Sequence, residues 1–268
     1  MPLVGIFGRP FIDLEPHLDL SSLDAIHEEI CLALAEVPVD YTGGSHRSMG
    51  IVPESRRAEA ITDYGEVIGA MSDLEFLTFR SLSDNPDAID PHRRKELTYG
   101  EERDVPLSRR QMLWLKVRFG VYFPWKAYVE LIPNDRWTDK AASEGKSFTR
   151  RARAFFPKTI AFIESLPFQE IGRANVMGLE AHDHGTVHRD GEPEEQTAPD
   201  QFITICPQKN KRLFLWDEAQ KTKTAVTPRA YWFNDFDYHG VDADPFFRYS
   251  LRIDGVFRDD FLARLHRS

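Results

Sequence analysis

The stretch AHDHGTVHRDG, Ala181–Gly191, places three histidines and two aspartates within nine residues, after an apolar run and before an acidic loop. As a polar turn it would be mere punctuation. As a strand bearing ligands it makes the second half of the chain a β structure built around a cation. Its surroundings favour the strand. From Ile171 on, GRANVMGLEA, QFITICP, RLFLWD, AVTP, AYWFND and FRYSLRIDGVF are short, aromatic or β-branched, and separated by turn residues. That rhythm predicts a sandwich or barrel.

The first half reads differently. SSLDAIHEEICLALAEV offers Ser21 and Ser22 as caps and spaces Leu23, Ile26, Ile30 and Leu34 as one helical face. A second helix is expected from near Pro53 to Met71, and a third over LSRRQMLWLKVRF with Ser108 as its cap. Between them SLSDNPDAIDPHRRKELTYGEERD is expected to be a long, exposed polar connection. PWKAYVELI, Pro124–Ile132, alternates like a strand. RWTDKAASEGKSFTRRARAFFPKTIAFIESL reads as two helical pieces broken near Pro157. The class is therefore α+β. No Pro/Gly/Ser linker separates the halves, so one domain is expected over 1–268: mainly helical support and a substrate loop in 1–120, a β core in 121–268.

Composition limits the partners. The 268 residues are 41% hydrophobic and 29% charged, with a formal net charge of −9. Such a chain can build a core, and its acidic surface disfavours nucleic acid. No stretch has the length of a membrane span. The N-terminus lacks the basic-then-apolar pattern of a secretory signal. Cys31 and Cys206, the two cysteines, read as buried thiols in a reducing compartment. A cytoplasmic protein with a small-molecule substrate is expected, either monomer or homodimer.

His188 and Asp190 are two apart. On a strand their side chains leave one face, with Cα atoms about 6–7 Å apart, so imidazole and carboxylate can share one cation. A third ligand must come from elsewhere. His239 lies 49 residues beyond Asp190, room for several antiparallel strands to return the chain. Two histidines and a carboxylate on one face of an octahedron form the facial triad of non-haem Fe(II) oxygenases. His182 and His184 have the same spacing and compete, although they suit a loop wall or a supporting position. His-x-Asp also arises by chance, and Asp190-Gly191 alone reads as a turn. Nine residues after His239, Arg248 and Ser250 share a strand face, where guanidinium and hydroxyl can grip a carboxylate. The alternative for Arg248 is a surface ion pair with Asp242 or Asp244. Arg252 shares the face too, either binding a substrate or cosubstrate carboxylate or pairing with Asp254.

FPKTIAFIESLP, GRANVMGLEA, GTVHRDG, AYWFNDFDYHGV and RYSLRIDGVF, in this order, resemble the aspartyl/asparaginyl β-hydroxylase-like branch of Fe(II)/2-oxoglutarate dioxygenases, which includes bacterial hydroxylases of free proline. The resemblance covers Phe156–Phe257. It implies a double-stranded β-helix, a jelly-roll, cupin-like core. It implies iron at His188, Asp190 and His239, 2-oxoglutarate held by Arg248 beside Ser250, and O₂ as oxidant. The implied reaction is hydroxylation of an unactivated C–H bond in a small polar molecule, an amino acid or a natural-product intermediate. Two departures stand out. The peptide hydroxylases of the branch lack the carboxylate ligand that Asp190 supplies here, which points away from a peptide substrate and from halogenation. Pro228-Arg229 stands where a glycine is common.

Substrate contacts are expected from outside the motif: His46 and Arg47 in DYTGGSHRSMG, Arg252, and Trp232, with Trp216, Phe233, Trp125 and Lys126 as possible walls. Each has a plainer reading as loop, ion pair or core. GEPEEQ, Gly191–Gln196, reads as a solvated loop or a lid. Desaturation or cyclisation with the same cofactors, and a cupin-type metal-binding module without 2-oxoglutarate, are the alternatives.

Overall fold

The computed structural model describes residues 2–37, 51–53, 63–100, 104–123, 128–133, 139–191, 198–208 and 211–267. Helices and antiparallel strands are both present, and the chain gathers into two compact units. The first comprises Met1–Val39, Ala127–Ala181 and Thr186–Ser268; the second comprises Asp40–Lys126 with His182–Gly185.

In the first unit the chain passes back and forth between two sheets. The larger contains β1 (Phe11–Asp13), β3 (Tyr128–Ile132), β4 (Phe168–Leu179), β6 (Phe202–Ile205), β9 (Ala230–Phe233) and β11 (Arg248–Phe257), in the order β1-β9-β6-β11-β4-β3. The smaller contains Thr186–His188 of β5 (Asp183–His188) with β7 (Leu213–Asp217), β8 (Thr222–Ala225) and β10 (His239–Val241), in the order β5-β10-β7-β8. In the second unit β2 (Ile51–Pro53) runs antiparallel to Asp183–Gly185 at the start of β5. Strand β11 is central. It pairs with β4, placing Ser250 opposite Met177 and Arg252 opposite Asn175, and with β6, placing Arg252 opposite Thr204.

Alternation along β11 separates two chemistries. Tyr249, Leu251 and Ile253 join the main hydrophobic core with Ile26 and Ile30 of α1 (Leu23–Glu36) and Ile163 of α6 (Pro157–Ser165). Arg248, Ser250, Arg252 and Asp254 occupy the other face and are also buried. Helix α1 is anchored by Glu29, whose carboxylate accepts from Lys158 N and Thr159 N, both at 2.7 Å, at the start of α6. This satisfies amide donors that a helix N-terminus otherwise leaves open. Pro157 suits the first turn for the same reason, and the expected break falls there: α5 covers Arg150–Phe155.

The helices of the second unit build a core of their own. α2 (Tyr64–Ala70), α3 (Asp73–Ser81) and α4 (Arg109–Phe119) bury Ile68, Phe76, Phe79 and Leu115. Ser108 caps α4 as expected, closing a capping box with Gln111. Gly120 ends α4 at φ 67°, a left-handed position that costs a residue with a Cβ more than glycine.

Several expectations are corrected. Residues 140–149 are bends, one turn and irregular backbone instead of the first part of a helix. Strand β8 covers Thr222–Ala225, earlier than AVTP. The polar connection is not wholly exposed, since Ile89 and Tyr99 are buried. Ser22 makes no side-chain cap. Cys31 is exposed, and only Cys206 is buried; both are free thiols. Helices α3 and α7 (Asp259–Arg267) and the short strands β1 and β2 are additional. The expected helix over 54–62, the loop with His46 and Arg47, Trp125, Lys126 and residues 192–196 lie outside the described residues. Among the described residues, no helix is long and apolar enough to cross a membrane.

Candidate metal centre

His188 ends β5, Asp190 lies two residues past it, and His239 opens β10 beside β5. One ligand atom from each lies within 4.8 Å of the others, a group that can hold a metal ion. Two local devices aim the imidazoles. His188 Nδ1 lies 2.8 Å from Thr186 O, and His239 Nδ1 lies 2.9 Å from Asp237 O. A carbonyl only accepts, so each Nδ1 carries a proton, which leaves Nε2 as the ligating nitrogen of each ring. Those two Nε2 atoms face the same oxygen, Asp190 Oδ1, at 3.6 and 3.8 Å. The donors thus fit a divalent cation: two imidazoles presenting Nε2 and one carboxylate oxygen.

The electrostatics agree. Burial pushes the His239 pKa down to about 4, although the Asp190 charge opposes the shift. The ring is therefore neutral at pH 7. Burial alone would raise Asp190, but Arg252 above all, then His239, His188 and Lys140, outweigh it and hold the carboxyl at about 2. It is ionised throughout the physiological range. Exposure is graded: the His239 side chain is 7% exposed, Asp190 27% and His188 46%, so the site opens on the His188 side. Phe233 covers the other imidazole edge-on, with ring centroids 5.0 Å apart.

Behind the ligands lies a buried charge network. Arg252 donates to Asp190 Oδ2 at 3.2 Å, to Asp235 Oδ2 at 2.6 Å and to Asp254 Oδ1 at 3.1 Å. Its guanidinium stacks 3.9 Å over the Phe202 ring. Arg173 holds the second oxygen of Asp254 at 2.8 Å. Lys140 meets Asp235 at 3.1 Å and also pairs with Asp200. Gly172 lets the Lys140 segment come close: a Cβ there would stand 2.4 Å from Lys140 O.

Arg248 is 3% exposed and donates to Glu180 O at 3.1 Å and Asp242 O at 2.8 Å. The carboxylates named as its alternative partners are engaged by other cations, Asp242 by Lys223 and Asp244 by Arg212. Ser250 is buried, with Lys211 Nζ 3.5 Å from its hydroxyl and 3.1 Å from Met177 O. Trp232 packs in the hydrophobic core and donates its indole N–H to Asp200 O at 2.8 Å. His182 sits at φ 65° in the β4–β5 turn and is exposed. His184 is buried in the second unit, and neither joins the ligand group. Neighbouring Asp183 accepts the Tyr122 hydroxyl at 2.9 Å.

Sequence reasoning missed Asp235, Lys140, Arg173 and Lys211. Asp235 had one visible hint, its place in the aspartate-rich NDFD ahead of His239. Lys140 had none, because its partners Asp200 and Asp235 are far along the chain, the second 95 residues away.

The chain matches no protein-family model, and no curated protein matches its sequence. Among solved structures it is similar to a collagen prolyl hydroxylase from Paramecium bursaria Chlorella virus-1 in its 2OG complex, at 10% identity and a TM-score of 0.27, over 49% of this chain and 78% of that one. A Pseudomonas putida prolyl-4-hydroxylase overlaps at 8% identity and 0.30, over 51% and 73%. A Trichoplax adhaerens prolyl hydroxylase, solved with a hypoxia inducible factor peptide fragment, overlaps at 9% and 0.32, over 90% and 95%. Overlaps this loose decide neither reaction nor substrate.

Proposed function

We propose that the protein is a non-haem Fe(II)/2-oxoglutarate-dependent oxygenase that hydroxylates a small polar molecule, an amino acid or a natural-product intermediate. One observation carries the reading: the two fixed imidazoles of His188 and His239 converge on one oxygen of Asp190. Passage of the chain between two antiparallel sheets supports a double-stranded β-helix around that point. With a ferrous ion and 2-oxoglutarate bound, the chemistry supplied is O₂-dependent decarboxylation of the cosubstrate to succinate and CO₂, coupled to oxygenation of an unactivated C–H bond.

The chain's own residues have simpler tasks. His239, neutral and buried, offers its lone pair without first losing a proton. Asp190 brings one negative charge to offset part of the cation's. Phe233 shields His239 from water. Arg248 and Ser250 hold the far carboxylate of 2-oxoglutarate from the inner face of β11. Ser250 lies midway along the strand between Arg248 and Arg252, about 7 Å from each by residue rise. The arginine donates in a planar fork suited to a carboxylate.

The test is anaerobic addition of Fe(II) and then 2-oxoglutarate to the full chain. A weak visible charge-transfer band is expected only when both are present, and amino acids that stimulate succinate release would then identify the substrate class. Metal binding without the band, and without 2-oxoglutarate consumption, would leave a metal-binding module instead.

A further inference from the structure

The charge network behind the ligands is larger than a ligand set requires. We propose that Arg252 is a positioning residue that holds Asp190 as a one-oxygen ligand, and that Asp235 anchors both partners of that contact. The inference rests on the reading that His188, Asp190 and His239 bind a metal.

The two Asp190 oxygens have different surroundings. Oδ1 faces both imidazole Nε2 atoms, at 3.6 and 3.8 Å. Oδ2 accepts from Arg252 at 3.2 Å. A carboxylate beside a cation can coordinate through one oxygen or two, and a donor on one of them selects the first mode. Asp190 is beyond the end of β5, so no strand ladder fixes it. Asp235 does so instead, because its main-chain carbonyl accepts the Asp190 N–H at 2.9 Å. The same residue's carboxylate takes Arg252 at 2.6 Å. One residue thus sets the Asp190 backbone and the guanidinium that holds its side chain. Asp254 and the Phe202 ring fix the remaining freedom of Arg252, at 3.1 and 3.9 Å. A lysine could not reproduce this, since one ammonium lacks the planar fork that meets three carboxylates.

The test separates position from charge. Arg252→Gln with Asp235→Asn removes one positive and one negative charge, leaving the net charge unchanged. The full chain is titrated anaerobically with Co(II), following its visible d–d bands, and thermal melting of each metal-free form checks the fold. The double variant is expected to bind Co(II) about 10- to 100-fold more weakly, the range for lost outer-shell partners, with altered band shape. Arg252→Lys should fall between the parent and the double variant. Parent-like affinity and bands in the double variant overturn the proposal. Should that variant not fold, Arg252→Lys decides, because it keeps a cation among the carboxylates; parent-like affinity and bands there overturn the role equally. Failure of the parent to bind Co(II), or parent-like binding by Asp190→Ala, overturns the metal reading and this inference with it. Loss of binding in Asp190→Ala beside unchanged binding in the double variant overturns the Arg252 role alone.

Discussion

Arg248 and Arg252 stand four residues apart on one face of β11, both buried, yet their partners differ in kind. Arg248 donates to two main-chain carbonyls. Arg252 donates to three carboxylates, one of them the candidate ligand Asp190. The three carboxylates both orient the Arg252 guanidinium and offset its charge. The contrast teaches that a repeated residue type on one strand face need not repeat its function. Arg252, at mid-strand, supports the candidate ligand Asp190, while Arg248, at the start of the strand, is the proposed anchor for the cosubstrate carboxylate.

The largest effect should come from the ligand end. Asp190→Ala is expected to reduce succinate release to background, beyond the roughly 100-fold that outer-shell partners are worth, with its melting curve intact. Full turnover in that variant would remove Asp190 from the ligand set.

The next test uses pH. His239 titrates at about 4 in the folded chain and near 6.5 when unfolded. Its contribution to stability is fully present above pH 6.5. It is lost as pH falls from there to about 4, because the unfolded chain takes up the proton first. The metal-free protein should lose about 3 kcal/mol over that window, at about 1.4 kcal/mol per pH unit. Urea midpoints at pH 7.5, 6 and 5 measure it, and a flat series would mean that His239 is not held neutral.

At the other end, Arg248→Ala should raise the 2-oxoglutarate requirement about 10- to 100-fold, corresponding to about 1.5–3 kcal/mol for hydrogen bonds to a charged group, while Co(II) affinity stays unchanged. An unchanged requirement would move the anchor elsewhere, with Lys211 beside Ser250 the first candidate. The smallest effect belongs to the opposite face. The Tyr249 hydroxyl lies 2.8 Å from His27 Nδ1, and Tyr249→Phe, which removes that hydrogen bond, should cost about 1 kcal/mol of stability without altering metal or cosubstrate binding. A shift in either binding constant would show that the two faces of β11 are not independent.

Local signals were enough for much of this. Ser108 caps α4, Pro157 starts α6, and the expected β-branched runs other than AVTP became strands, because these depend on neighbours within a few residues. His188, Asp190 and His239 were legible through residue type, order and spacing, which the chemistry of a cation constrains. Long-range packing settled that His182 and His184 stay outside the ligand group, that Arg252 faces carboxylates, that Trp232 is core, and that Asp235, Lys140 and Arg173 join the network. Those outcomes depend on which segments lie side by side after the chain crosses between sheets. A buried charge takes whatever partner packing brings within about 3 Å, and sequence distance does not encode that choice.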